Sequence, residues 1–314
     1  MAAEEVLEQN GWRQAVTGRQ EDINAAGGVR TSQTPFEGPT QSASPSRQRS
    51  DVPFFLLMGG LSASFIMLIV LLLAADFMFT SFADFRDALL KPEIQAAFRL
   101  TLISCTVAAV LSVWVGTPLG YLLSRYKFPG RWVIDTLVDI PIVLPPLVLG
   151  LSLLILFHLN LGEWQLEKWL RDGVGFPVTY RWPAVILAQF SVSCAFAVRT
   201  MRVTFDQISP RTEDVARTLG CTRAQAFLLV SLPQAWKGII AAGTISWARA
   251  LGEFGPILVF AGATRMRTEV LSTSVFLELS IGNLDAAVAV SLLMVAMAVV
   301  VLLILRVLGT GLSS

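Results

Sequence analysis

Residues 100–124 read LTLISCTVAAVLSVWVGTPLGYLLS, without a single Asp, Glu, Lys or Arg. A helix rises about 1.5 Å per residue and a hydrocarbon core is about 30 Å thick, so roughly 20 such residues cross a bilayer. Two further stretches are equally free of charge: Val52 to Ala75, bracketed by Asp51 and Asp76, and Ala286 to Leu305. Across the 314 residues, 54% are hydrophobic and 15% charged, against about 25% charged in a soluble domain. Lipid is the solvent for which this chain is built.

Working outward from that stretch, six spans are expected, near 53–75, 97–124, 133–157, 182–203, 235–261 and 284–306: an all-α integral membrane protein. Pro141, Pro145 and Pro146 fall in the third span, which should be bent or partly unwound and shielded by its neighbours. Arg249 and Glu253 interrupt the fifth, where Glu253 reads as the lone carboxylate in mid-span. The tight loop carrying Arg125, Lys127 and Arg131 is purely basic, whereas the opposite loops mix signs. The positive-inside rule then puts both termini in the cytoplasm. Trp132, Trp182 and Trp236 stand at expected span ends, as interfacial anchors do. Residues 1–50 are polar and rich in Gly, Ser, Pro and Gln. They read as a disordered cytoplasmic tail rather than a cleavable signal peptide, leaving 51–314 as the transmembrane domain.

Several chemistries drop out. Cys105, Cys194 and Cys221 have no metal-ligand spacing, and His158 is the only histidine, so neither a metal nor a cofactor is expected. A net charge of +1 gives no reason to invoke nucleic acid. No Gly-x-x-x-x-Gly-Lys-Ser/Thr phosphate loop occurs, so any ATP must be hydrolysed on another polypeptide.

Between the fourth and fifth spans, residues 204–234 hold too many charges for lipid yet keep helical periodicity. Ser209-Pro210 offers an N-cap followed by proline at the first helical position, and Gly220 stands where a C′ glycine ends that helix. Thr222 and Gln225 have the spacing of a capping box for a second short helix, which Pro233 should stop. Helices this short are marginal alone and need a partner. No basic recognition helix is present for DNA.

The same loop reads Glu213-Asp214-Val215-Ala216-Arg217-Thr218-Leu219-Gly220 and, nine residues on, Val230-Ser231-Leu232-Pro233. It resembles the cytoplasmic coupling motif of ABC importer permeases, with Asp214, Ala216, Gly220, Val230, Leu232 and Pro233 in register and Glu213 adjoining. Asp214 replaces the usual Glu, and Val215 the usual Ala. Gly116-Thr117-Pro118-Leu119, Phe128-Pro129-Gly130-Arg131, the run Pro141 to Gly150, and Arg249-Ala250-Leu251-Gly252-Glu253-Phe254-Gly255 are similar to the molybdate/sulfate permease family. The molybdate (or tungstate) branch is most similar, and sulfate and thiosulfate permeases are near relatives.

The resemblance implies a type I importer bundle with a cytoplasmic coupling helix, moving an oxyanion inward across the inner membrane by alternating access. It implies a homodimer, two copies of an ABC ATPase and an extracytoplasmic substrate-binding protein, the chain itself being no enzyme. On physical grounds a charge at mid-bilayer costs about 2.5–3.5 kcal/mol, so Arg249 and Glu253, four residues apart, should neutralise one another. Gly252 and Gly255 should permit close helix approach. With Pro145 and Pro146 they either line the path or fix helix packing. Thr264, Arg265 and Arg267 are candidates for contact with a docked binding protein. An ion-coupled secondary transporter would instead show inverted repeats and mid-span carboxylates; no clear repeat is visible.

Overall fold

The computed structural model describes residues 52–311, apart from Glu163 and Val174; the tail expected over 1–50 lies outside them. By internal contacts the chain divides into 1–62 and 63–314. The described part of the first unit is the opening of helix α1 (Val52–Phe79), whose described side chains there are exposed.

The second unit holds the rest of α1 and, in chain order, α2 (Phe82–Leu90), α3 (Pro92–Arg125), α4 (Arg131–Val143) and α5 (Pro146–His158). A two-residue antiparallel pair follows, β1 (Asn160–Leu161) with β2 (Trp164–Gln165), then α6 (Leu166–Gly173), α7 (Trp182–Gln207), α8 (Arg211–Thr218) and α9 (Arg223–Ala226). A π-turn (Phe227–Ser231) leads through α10 (Leu232–Gln234) to α11 (Trp236–Leu251). A second π-turn (Ile257–Ala261), α12 (Leu271–Ser280) and α13 (Leu284–Gly311) complete it.

Among the described residues four helices are long and apolar enough to cross a membrane, or six if each of two bent pairs counts as one span. The expected third span is one such pair: α4 and α5 meet at 114°. Pro141 lies inside α4 without ending it. The break comes at Leu144 and Pro145, both extended with ψ of 137° and 132°, because a residue that precedes proline is driven out of the helical region. The expected fifth span also differs, since regular helix stops at Leu251. Neither α6 nor α12 was expected from the sequence.

The core is the crossing of α3 on α7. A Cβ built on Gly116 would lie 2.8 Å from Ala197 Cβ, and one on Gly120 2.8 Å from the Arg202 nitrogen. Glycines four apart let two backbones touch, and dispersion at that contact replaces the hydrophobic drive that lipid removes. Polar side chains on the buried faces bond across helices. Ser112 and Ser193 hydroxyls pair at 2.8 Å, Ser246 of α11 donates to the Ser193 carbonyl at 3.2 Å, and Trp247 Nε1 donates to Thr106 at 3.3 Å. The Leu271 amide, at the start of α12, donates to Thr101 Oγ1 at 2.9 Å.

Gly116→Val should therefore wedge α3 from α7 at a cost of about 1–3 kcal/mol. The measurement is thermal unfolding in detergent, with the exposed Leu122→Val as control; an unchanged midpoint for Gly116→Val would refute the packing described.

Candidate functional site

The loop between α7 and α11 folds as a helical hairpin. Pro210, in helical geometry (φ −58°, ψ −26°), occupies the cap position of α8. Its carbonyl accepts amide bonds from Glu213 and Asp214 at 3.1 and 3.2 Å, after a first one from Thr212 to the Ser209 carbonyl at 3.3 Å. The expected Ser209 side-chain cap is not made, because the cap position falls on Pro210, which has no side-chain acceptor. Gly220 has φ +96°, and around it Gly220 donates to the Arg217 carbonyl and Cys221 to the Ala216 carbonyl, both at 3.1 Å. That is the Schellman pattern, whose left-handed residue favours glycine. The capping box is present: the Thr222 amide donates to Gln225 Oε1 at 2.8 Å and the Gln225 amide to Thr222 Oγ1 at 3.3 Å. Pro233 stands one residue before the end of the second helix, whose run from Arg223 through the π-turn closes at Gln234. It sits at the start of α10, where no amide is needed, and the chain turns by 71° into α11.

Glu213 fixes this hairpin to the bundle. Its carboxylate accepts from Tyr121 at 2.7 Å, Arg125 Nε at 2.9 Å and Ser231 at 2.6 Å, joining α8 to the end of α3 and to the π-turn. Burial pushes the acid's pKa up, but the three hydrogen bonds and the Arg125 charge outweigh it and hold Glu213 below its ordinary value. Ala216 is buried beneath α8 at 8% exposure, so its small size serves packing within this chain. The outer face is open: Val215 is 58% exposed, Leu219 81% and Leu229 69%. Asp214 points outward with a long contact to Arg217, 3.7 Å. Val230 and Leu232 are half-buried and Pro233 exposed.

The second candidate set lies where two broken helices meet. Arg249 Nη1 is 2.6 Å from Glu253 Oε1, with Glu253 1% exposed. The contact is one of charge, since Oε1 has no hydrogen-bond partner among the described residues. The guanidinium also lies 5.7 Å from the centre of the Phe196 ring, a cation–π distance. Glu253 is past the end of α11, and its backbone carbonyl accepts from Ser272 at 2.7 Å. Gly255 earns its place: an added Cβ would be 2.9 Å from Pro146 Cβ, and one on Gly150 2.8 Å from Pro256 Cα. Gly252 does not; a Cβ there meets only carbonyls of its own helix, at 3.8 Å or more. Pro145 is exposed at the bend.

Two further carboxylates stand at the start of the expected third span: Asp135 and Asp139 of α4 pair with Arg202 and Arg199 of α7. Arg202 also faces Asp206 at 4.0 Å, which accepts from Ser124 at 2.6 Å. No described residue of α4 is buried, so these ion pairs are its main tie to α7. The signal was present as carboxylates four apart and arginines three apart in apolar surroundings.

At the other end of the bundle, Arg265 is bound to Glu278 at 3.0 Å, which commits it to holding its own loop. Thr264 and Arg267 are exposed. Met266, between the two arginines, has φ +64°. Glu269 is 2% exposed; Ser274 donates to its Oε1 at 2.8 Å, while Oε2 has no partner among the described residues. Burial raises its pKa, opposed by the Ser274 bond and the Arg265 charge, with Glu278 and Glu93 adding to the rise.

Residues 116–313 match the family described as the binding-protein-dependent transport system inner membrane component. The chain is 35% identical over 260 residues to the sulfate transport system permease protein CysT of Escherichia coli strain K12, covering 81% of this chain and 92% of the relative. It is 37% identical over 218 residues to a probable molybdenum ABC transporter permease protein of Haloferax volcanii, covering 69% and 77%. Among solved structures, a bacterial ABC transporter involved in the import of the acidic polysaccharide alginate shares the fold, with a TM-score of 0.66 at 17% identity over 84% of this chain and 98% of that one.

Two outcomes are expected. Glu213→Ala strips the partner from Arg125, whose side chain is 9% exposed, and should loosen the hairpin by about 2–3 kcal/mol. Hydrogen exchange over 209–234 should rise while the spans stay protected. For Glu269, a raised pKa means that protonation favours the folded loop. Its contribution is full below the ordinary 4.5 and fades as pH climbs through the elevated value. Exchange of 262–270 should thus quicken with pH in excess of the intrinsic rate, and Glu269→Gln should abolish that excess; an unaltered pH dependence refutes it.

Proposed function

Because the chain belongs to the family of binding-protein-dependent transport system inner membrane components, we propose that it is the permease subunit of an ATP-driven importer for a tetrahedral oxyanion. Molybdate or tungstate is the cargo first proposed. Sulfate is the second, favoured by the longer match to the sulfate permease. The chain is a transport subunit and not an enzyme; without a phosphate loop, hydrolysis falls to a separate ATPase.

The anchored hairpin carries the proposal. Apolar side chains at Val215, Leu219, Leu228 and Leu229 stand exposed on a short helical unit that cannot be lipid-embedded. A hydrophobic cleft on an ATPase subunit is the partner such a surface fits. Tyr121 and Arg125 grip Glu213, so a push on α8 reaches α3 directly. One hairpin per chain and a closed two-fold assembly match two permeases to two ATPases. The basic residues Arg125, Lys127 and Arg131 lie at the same end as the hairpin, consistent with cytoplasmic termini. Loop 262–270, at the opposite end, is the surface offered to an extracytoplasmic substrate-binding protein.

Movement needs places where helices are already broken. The crossing of Gly255 on Pro146 and of Gly150 on Pro256 joins two such breaks, and irregular backbone at membrane depth is tolerated only inside protein or beside a watery cavity. ATP-driven closure tilts the elements on either side of it, exchanging outward for inward access. The Arg249–Glu253 pair stabilises this crossing without leaving a bare charge. Asp135 and Asp139 do not supply ion coupling, since each faces an arginine.

Proteoliposomes holding the permease, its ATPase and its binding protein should accumulate radiolabelled molybdate or sulfate only with ATP, and mutual competition identifies the cargo. Leu219→Cys should crosslink to the ATPase. Arg249→Ala should cut uptake at least about tenfold, consistent with a broken buried pair, whereas joint replacement of Arg249 and Glu253 by Ala should be milder. Uptake that persists without the ATPase would overturn the proposal.

A further inference from the structure

A groove of about 640 Å³ runs between the second half of α7 and the start of α11, with Arg199, Thr204 and Gln207 on one wall and Gln234, Lys237 and Gly238 on the other. The two helices touch at one point in it: a Cβ on Gly238 would lie 2.1 Å from Thr204 Oγ1. Arg199, Gln207, Gln234 and Lys237 bring charge and hydrogen-bonding groups into a groove whose remaining lining, Val203, Ile208 and Ala241 included, is mostly apolar.

Its charges do not cancel. Arg202 is taken by Asp135. Arg199 gives Nε and one Nη2 hydrogen to Asp139, yet keeps 47% of its side chain exposed. Lys237 has no hydrogen bond or ion pair among the described residues and is exposed in the groove. Thr200 and Thr204 spend their hydroxyl protons on carbonyls one turn back, at 2.9 and 2.8 Å. Donors left for a ligand are therefore Lys237, the remaining Arg199 N–H groups and the amides of Gln207 and Gln234. No carboxylate lines the groove itself, although Asp139 holds Arg199 from beside it, and such cationic and neutral donors suit a small, multiply charged anion whose every oxygen accepts.

We propose that this groove is a transient binding station for the oxyanion at the hairpin end of the path, with Lys237 its resident charge and Arg199 a second charge shared with Asp139. It rests on the importer function proposed above. An anion in the groove competes with Asp139 for Arg199 and so weakens the hold of α7 on α4, which buries no described residue of its own. A single full charge at an open groove gives weak binding, which conduction requires if cargo is to leave.

The test uses the assembled transporter in proteoliposomes. Gln207→Cys is introduced where Cys194 and Cys221 have been replaced by Ala, and its modification by anionic and cationic methanethiosulfonates is timed. The anionic reagent should react about tenfold faster, a single charge-assisted contact. Sulfate or molybdate should slow it, and Lys237→Gln should erase the preference. Uptake should fall about tenfold in Lys237→Gln and recover in Lys237→Arg, with ATP hydrolysis retained. Equal rates for both reagents without protection by either anion would overturn the proposal. So would a Gln207→Cys thiol that crosslinks to its mate in a second copy and resists both reagents, which would make the groove a subunit interface. Failure of ATP-driven uptake in the unsubstituted complex would strike the importer function instead, because the modification rates judge the groove without it.

Discussion

Two backbones, those of α3 and α7, come together until nothing larger than hydrogen fits at Gly116 and Gly120. Lipid offers no hydrophobic reward for helix association, so the contact must be won by surface fit and by hydrogen bonds such as Ser112 to Ser193. Everything of interest hangs from this pair. The end of α3 supplies Tyr121 and Arg125 to hold the hairpin. The matching part of α7 supplies Arg199 and Arg202 to hold α4, and its outer face forms one wall of the groove. A shift of one helix against the other is transmitted to all three.

Charge placement follows from the same shortage of water. Asp135, Asp139 and Glu253 each face an arginine, and the close crossings at Gly150 and Gly255 bury the two helix breaks against one another. Glu213 shows the principle at the membrane edge. Three donors converge on it, which makes the hairpin part of the bundle rather than a loose loop. Lys237, by contrast, has no counter-charge among the described residues and lines the groove between α7 and α11.

Much of the hairpin was legible in the sequence because its signals are local. A left-handed glycine at 220 and a Thr222–Gln225 box depend only on residues a few positions apart. Ser209 misled, since proline accepts either the cap or the first helical position and neighbouring contacts choose. Pro233 served better, for the helical run closes one residue after it, at Gln234. Ala216 lies buried within its own chain, which spacing could not say, because a small residue looks the same whether it faces its own bundle or a partner.

By itself the sequence determined what depends on composition and short spacing: the lipid environment, the apolar segments, the turn at Gly220, the break near Pro145 and the family likeness. Tertiary structure alone decided which polar residues meet. Asp139 finds Arg199 across 60 positions, Glu213 finds Tyr121 across 92, and Gly255 rather than Gly252 carries the close crossing. The reason is physical. Pairing in a membrane is set by the rotation and depth of each helix against its neighbours, and those are fixed by side-chain fit between segments far apart in the chain.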